Sequence, residues 1–256
     1  MKVQFCSDLH LEFPENREFL KLNPLKPEGD ILLLVGDVVP FAVMDKYNDF
    51  FNYVSNNFKL TYWIPGNHEY YYFDAAARSG VLNEKIRDNI FLVNNVAILH
   101  DDVRFIFSTL WSKINPSNEW NLQQSLSDFQ VIKFNGERFS PSHFNQLHQD
   151  CFNFIQQEVK KPHSGKTVFA THYVPTFLNY PEKYKGDALN EGFAVELFDF
   201  IEASNADYWI YGHHHCNTPD FAIGKTQLLT NQLGYVKYGE HQNFRTDRFF
   251  NLNGNK

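Results

Sequence analysis

Short apolar runs punctuate the chain from Val3 to Cys6, Ile31 to Val35, Leu60 to Ile64, Thr167 to Ala170 and Tyr208 to Tyr211. They are too short for helices and rich in branched and aromatic residues, so they predict strands. Between them, apolar residues recur at helical spacing: Val43, Tyr47, Phe50, Phe51 and Val54, then Phe144, Leu147, Cys151, Ile155 and Val159, then Val195, Phe198 and Ile201. Strands alternating with helices predict an α/β fold around a largely parallel sheet. Three further runs, Asn89 to Val93, Val96 to His100 and Val103 to Ser108, are joined by the tight polar turns Asn94-Asn95 and Asp101-Asp102. They predict a second sheet with local antiparallel pairing. From Trp111 to Pro141 the periodicity weakens and Asn115-Pro116-Ser117-Asn118 marks a turn, which suggests an elaborated loop or lid over residues 111–141. Asn251 to Lys256 reads as a frayed tail.

The informative polar residues lie just beyond the predicted strand ends. Asp8 and His10 follow the first strand, Gly36-Asp37 the second and Gly66-Asn67-His68-Glu69 the third. Thr171-His172 follows the fourth and Gly212-His213-His214-His215 the fifth. Open α/β sheets bind ligands beyond the carboxyl ends of their strands, so the five clusters are expected to converge.

Composition narrows the setting. At 256 residues with 43% apolar content, the chain can fill the core of one domain, residues 1–256. No apolar run approaches a membrane span, and Met1 to Phe5 lacks the features of a secretory signal. Three scattered cysteines suggest neither a disulfide framework nor a zinc knuckle, so a reducing cytoplasm is the expected location. A net charge of −7 argues against a surface that tracks long nucleic acid, although bound dications would add positive charge locally.

A dinuclear hydrolase needs about four ligands per metal, a group that bridges both ions, and room for water. The clusters supply that inventory. Asp8-Leu9-His10 places two ligand types two residues apart, expected to point the same way from an extended loop, and His213 and His215 repeat the spacing with His214 facing elsewhere. Asp37 is a carboxylate that can span two ions. Nitrogen and oxygen donors without thiolates suit two divalent transition-metal ions, with Mn, Fe or Zn foremost and Mg disfavoured by so many imidazoles.

In their order and spread from residue 3 to about residue 235, these motifs resemble the calcineurin-like metallophosphoesterases. The resemblance implies a four-layer αββα sandwich, two mixed β-sheets flanked by helices, with the metals between the sheet edges. It assigns Asp8, His10, Asp37 and His215 to one metal, and Asp37, Asn67, His172 and His213 to the other. It makes His68 the non-ligand histidine that contacts the phosphate and protonates the leaving group, with Asn67 beside it. It also implies a catalytic role for Asp37, as the carboxylate shared by the two ions that would activate the attacking hydroxide. The implied substrate is a small or medium phosphomonoester or phosphodiester.

Gly36-Asp37 continues as Val38-Val39-Pro40, without the Asp-Arg pair of the protein Ser/Thr phosphatases, and Pro40 stands where purple acid phosphatases place a tyrosine ligand. Thr109-Leu110-Trp111, the Ser127-Asp128-Phe129 region and Tyr208-Trp209-Ile210 look instead like a group of uncharacterised bacterial metallophosphoesterases. The alternatives are a metal-binding interaction scaffold of the same fold and a nuclease for short single strands. Tyr70 to Phe73 reads as packing more than as a stacking platform, and Cys216 as a small filler. Ser164-Gly165-Lys166-Thr167 lacks the first glycine of a P-loop and precedes a strand.

Overall fold

A computed structural model describes residues 1–252. In chain order its strands are β1 (Lys2–Cys6), β2 (Ile31–Val35), β3 (Thr61–Ile64), β4 (Leu82–Arg87), β5 (Ile90–Asn94), β6 (Val96–His100) and β7 (Val103–Ser108). Then follow β8 (Lys133–Phe134), β9 (Glu137–Arg138), β10 (Lys166–Thr171), β11 (Tyr208–Tyr211), β12 (Phe221–Ile223), β13 (Thr226–Thr230) and β14 (Phe249–Asn251). The helices are α1 (Pro14–Leu22), α2 (Asn48–Asn57), α3 (Glu119–Ser125), α4 (Asp128–Val131), α5 (Pro141–Lys160) and α6 (Phe198–Ser204).

One six-stranded sheet has the order β14-β1-β2-β3-β5-β4 and the other β12-β13-β11-β10-β7-β6. Each has a parallel centre and an antiparallel strand at both edges. Alternate side chains explain the layering. Val3, Phe5, Leu33, Val35 and Ile64 of the first sheet pack against Phe105, Phe107, Val168 and Ile210 of the second. Their neighbours Leu32, Leu34 and Trp63 turn outward onto Leu20 of α1 and Phe51 and Val54 of α2. On the opposite outer face Ile106, Phe169 and Trp209 pack with Ile155 of α5 and Ile201 of α6. The result is the expected αββα sandwich, and central strands buried on both faces explain their unbroken apolar runs. Burying each such side chain fully contributes about 1.5–3 kcal/mol.

Several expectations change. The stretch from Val43 to Val54 divides into a 3-10 segment, Phe41–Tyr47, and α2, while Val195 precedes α6 and does not belong to it. β5 pairs with β3 and β4 in the first sheet, so the Asn94-Asn95 turn carries the chain from one sheet to the other and does not close a hairpin. Asn95 turns with φ 49°, and the Asn94 side chain accepts from Thr109 N and donates to Gly80 O, which holds the crossover in place. Residues 111–141 form α3, α4 and the β8-β9 hairpin, with Trp111, Ile114, Leu122, Phe129, Ile132 and Phe139 buried. Their apolar residues follow no single period because they serve several short elements. At the supposed tail, Asn251 pairs with Lys2 and Leu252 is buried; residues 253–256 lie outside the described residues. No described helix is long and apolar enough to cross a membrane.

Candidate metal centre

The carboxyl ends of β1, β2 and β3 meet those of β10 and β11, and all five polar clusters occupy the junction. Backbone and side chains stitch the two sheets together there. His213 N lies 3.1 Å from both carboxylate oxygens of Asp8, and His172 Nδ1 lies 3.0 Å from Val35 O. Asp8, His10, Asp37, His213 and His215 have φ of 56°, 46°, 54°, 80° and 49°. Left-handed backbone is uncommon for residues with a side chain and costs of order 1–3 kcal/mol at each position. The loop after β1 is therefore bent, not extended as its spacing suggested. The bends bring Asp8 and His10 to the junction while Leu9 enters the core. Gly66 is required by close approach: a Cβ there would collide with Asp37 Oδ1 and lie 2.6 Å from His172 Nε2.

The four inward-facing histidines form two pairs. His10 Nε2 is 2.9 Å from His215 Nε2, and His172 Nε2 is 3.1 Å from His213 Nδ1. Their other ring nitrogens face acceptors: Glu12 Oε1 for His10 at 3.2 Å, Glu240 Oε2 for His215 at 2.8 Å, Val35 O for His172, and Gly192 O for His213 at 3.3 Å. Since a carbonyl or carboxylate only accepts, each outer nitrogen carries a proton, and the facing inner nitrogens repel unless a proton or a metal ion lies between them. Such an arrangement calls for a cation between them. Asp37 Oδ2 serves both pairs, 3.8 Å from His10 Nε2 and 3.4 Å from His172 Nε2. Asp8, His10, Asp37 and His215 thus form one donor cluster, and Asp37, His172 and His213 a second. Asn67 joins the second: its Nδ2 donates to Asp128 Oδ1 at 2.8 Å, which leaves Oδ1 3.3 Å from His172 Nε2. The chemistry and placement of these donors fit two divalent ions.

His68 stands beside these clusters. Its Nδ1 donates to Glu12 Oε1 at 2.9 Å, while Nε2 faces the Tyr235 hydroxyl at 3.3 Å and the ring stacks on Tyr71 with centroids 3.9 Å apart. Burial alone would depress its pKa, but the Asp37 and Glu12 carboxylates outweigh burial and the net shift is upward. A cavity of about 410 Å³ opens here, bordered by Asp37, Asn67, His68 and His213 and walled by residues 125–128 of the segment expected to be a lid.

Four carboxylates that contact the candidate site had no role in the sequence reading. Glu12 completes an alternation Asp8-x-His10-x-Glu12 that could have signalled it. Glu69 accepts from Asp37 N, Val38 N, Gly66 N and Trp63 Nε1 at 2.7–3.0 Å, which ties the loops after β2 and β3 together. Asp128 lay in a region noted only for likeness, and Glu240 carried no signal. The aromatic run divides: Tyr70 is buried in the core and Tyr71 serves the site, whereas Tyr72 is exposed. His214 turns to Gln232, as its expected divergence from its neighbours requires.

The calcineurin-like phosphoesterase family matches residues 1–217. An uncharacterised protein of Acanthamoeba polyphaga mimivirus is 30% identical over 98% of this chain and 96% of its own length. A 3',5'-cyclic-nucleotide phosphodiesterase of Nostoc is 37% identical over only 19% of this chain and 18% of its own. Among solved structures, the phosphopantetheinyl hydrolase of Mycobacterium tuberculosis superposes with a TM-score of 0.67 at 13% identity, covering 94% of this chain and 92% of that one. The likeness at that identity concerns the fold. The family match over most of the length, with a junction built for metal ions at the sheet edges, makes this chain a member of the calcineurin-like phosphoesterases, metal-dependent hydrolases of phosphate esters.

Proposed function

We propose that the protein hydrolyses a small or medium phosphate ester with two divalent transition-metal ions, Mn, Fe or Zn, and with His68 as the proton donor. Asp8, His10, Asp37 and His215 hold one ion; Asp37, Asn67, His172 and His213 hold the other. When bound, the ions supply Lewis acidity to the phosphoryl oxygens and lower the pKa of water. Glu12 keeps the His68 Nδ1 proton engaged, so that Nε2 faces the cavity and can protonate the departing oxygen. Tyr71 fixes the imidazole plane from one side.

The observation that carries this reading is the pairing of inward imidazole nitrogens around one shared carboxylate, with a non-ligand histidine at the cavity. An interaction scaffold has no use for His68 backed by Glu12. The test is turnover by protein loaded with Mn, Fe or Zn on a panel of p-nitrophenyl esters, phosphorylated metabolites, cyclic nucleotides and phosphopantetheinyl diesters. Metal-dependent turnover that Asp37→Asn removes, with the circular dichroism spectrum unchanged, is the expected result. Turnover that survives Asp37→Asn would refute the shared-carboxylate arrangement.

A further inference from the structure

A second cavity, of about 740 Å³, lies between α1 and the segment that runs from the 3-10 turn Phe41–Tyr47 into α2, and it shares no lining residue with the cavity at the metal centre. Its apolar lining comes from the buried side chains of Leu11, Leu20 and Leu25 and from the partly buried rings of Tyr47, Phe50 and Tyr53. The Tyr53 hydroxyl donates to Leu25 O at 2.7 Å and the Tyr47 hydroxyl accepts from Arg17 at 3.4 Å, so both hydroxyls are already partnered. Three cations border this space: Arg17 and Lys21, one turn apart on α1, and Lys46. Asp49 is the one carboxylate in the lining.

All three cations are exposed, and none is ion-paired among the described residues. Arg17 Nη1 donates to Leu11 O at 2.9 Å and to Glu12 O at 3.2 Å, which holds the guanidinium at the cavity while its Nε and Nη2 donate to no described residue. Three cations against one carboxylate leave this rim positive on a chain whose net charge is −7. Apolar cavities of roughly 300–1,000 Å³ with a few charged groups at one place are the usual form of small-molecule sites. A hydrocarbon body gains by leaving water for the leucines and rings, and no polar side chain stands among them to read a hydroxyl or a ring nitrogen. The guanidinium fork, with ammonium groups beside it, matches a carboxylate. We propose that this cavity binds a carboxylate with a hydrocarbon body, as a free fatty acid has, with its head at Arg17, Lys21 and Lys46 and its chain along Leu20, Leu25 and Phe50. The site stands apart from the phosphoesterase reading, since it uses neither metal ion nor His68.

The test is calorimetric titration of the Zn-loaded protein with decanoate, octanoate, decanol, decyltrimethylammonium and acetate. Decanoate is expected to bind, and octanoate to bind roughly fifteenfold more weakly, at about fourfold for each methylene removed. Decanol should bind about tenfold more weakly than decanoate for want of a charged head, and decyltrimethylammonium should not bind. Acetate reports carboxylate held by the metal ions alone. Arg17 also braces the Glu12 loop, so the head is tested on the two exposed lysines: Lys21→Glu with Lys46→Glu should weaken decanoate about tenfold, with circular dichroism and zinc content unchanged. Absence of decanoate binding, equal affinity for decanol or acetate, or unchanged affinity in the double variant would overturn the proposal. A dimer in sedimentation that the double substitution dissolves would give the cavity to a second copy of the chain and overturn it likewise.

Discussion

His68 and Glu12 form a unit in which each residue has a separable consequence. An alkoxide is a poor leaving group and, on the proposed reading, takes its proton from His68, whereas p-nitrophenolate departs nearly unaided. His68→Ala should lower kcat/KM for alkyl esters by roughly 10²–10⁴ and for p-nitrophenyl esters by much less, with metal content unchanged. Equal losses on both would assign His68 to phosphate binding alone. Glu12 Oε1 accepts from both His10 and His68, while Oε2 is buried with no partner among the described residues. Glu12→Gln keeps an acceptor for the imidazoles but puts an unpartnered amide donor at the orphaned position and removes a charge that His10 and His68 hold ionised against burial. Alkyl-ester turnover should fall roughly 10–100-fold, as when the outer partners of metal-site ligands are lost, and more than turnover of p-nitrophenyl esters. An equal fall for both kinds of ester would make Glu12 merely structural.

At the scale of elements, residues 111–141 join the core to the metal centre. Phe129 of α4 and Phe139 stack with centroids 5.7 Å apart, while Asp128 of the same helix accepts from Asn67 and from the Tyr71 hydroxyl. A short linker in place of the segment would strip buried aromatics from α5 and the sheet, and losing one such ring alone costs about 3–5 kcal/mol. The replacement is expected to unfold the protein. A single substitution isolates the local role: Asp128→Ala frees the Asn67 amide to rotate and should weaken binding of the second ion roughly 10–100-fold while the first stays bound. Metal titration followed by elemental analysis reads this directly. Identical affinity for both ions in the variant would show that Asn67 needs no such support.

For the whole molecule, metal and proton compete for the same two gaps. Burial opposes charge on His172 and His215, but Asp37 raises His172 to about 9, and Asp8 with Glu240 raises His215 to about 10. Burial keeps their partners His213 and His10 neutral. Each pair in the metal-free protein thus shares one proton, Nε2–H of His172 toward His213 and of His215 toward His10. Two ions entering at neutral pH must expel about two protons, and affinity should rise with pH until those groups titrate. Calorimetry of Zn binding in buffers of different ionisation enthalpy counts the protons, and a count near zero would refute the shared-proton arrangement. Acidification should correspondingly remove the stabilisation that bound metal confers on the folded state.

The strand positions were legible because runs such as Ile31 to Val35 are buried on both faces, and the five polar clusters were legible because each closes such a run. Their residue types by themselves pointed to metal chemistry, since imidazole, carboxylate and amide donors without thiolate are a ligand set for hard or borderline metals. What the sequence could not carry was any relation set by packing between distant segments. Nothing local distinguishes Asn94-Asn95, which crosses between sheets, from Asp101-Asp102, which closes the β6-β7 hairpin; only the partner strands decide. Glu240 reaches His215 across 25 positions and Asp128 reaches Asn67 across 61, distances over which no spacing rule operates. The left-handed bends at Asp8, His10 and Asp37 run against local preference, so the tertiary structure alone could impose them and thereby aim the ligands at common points.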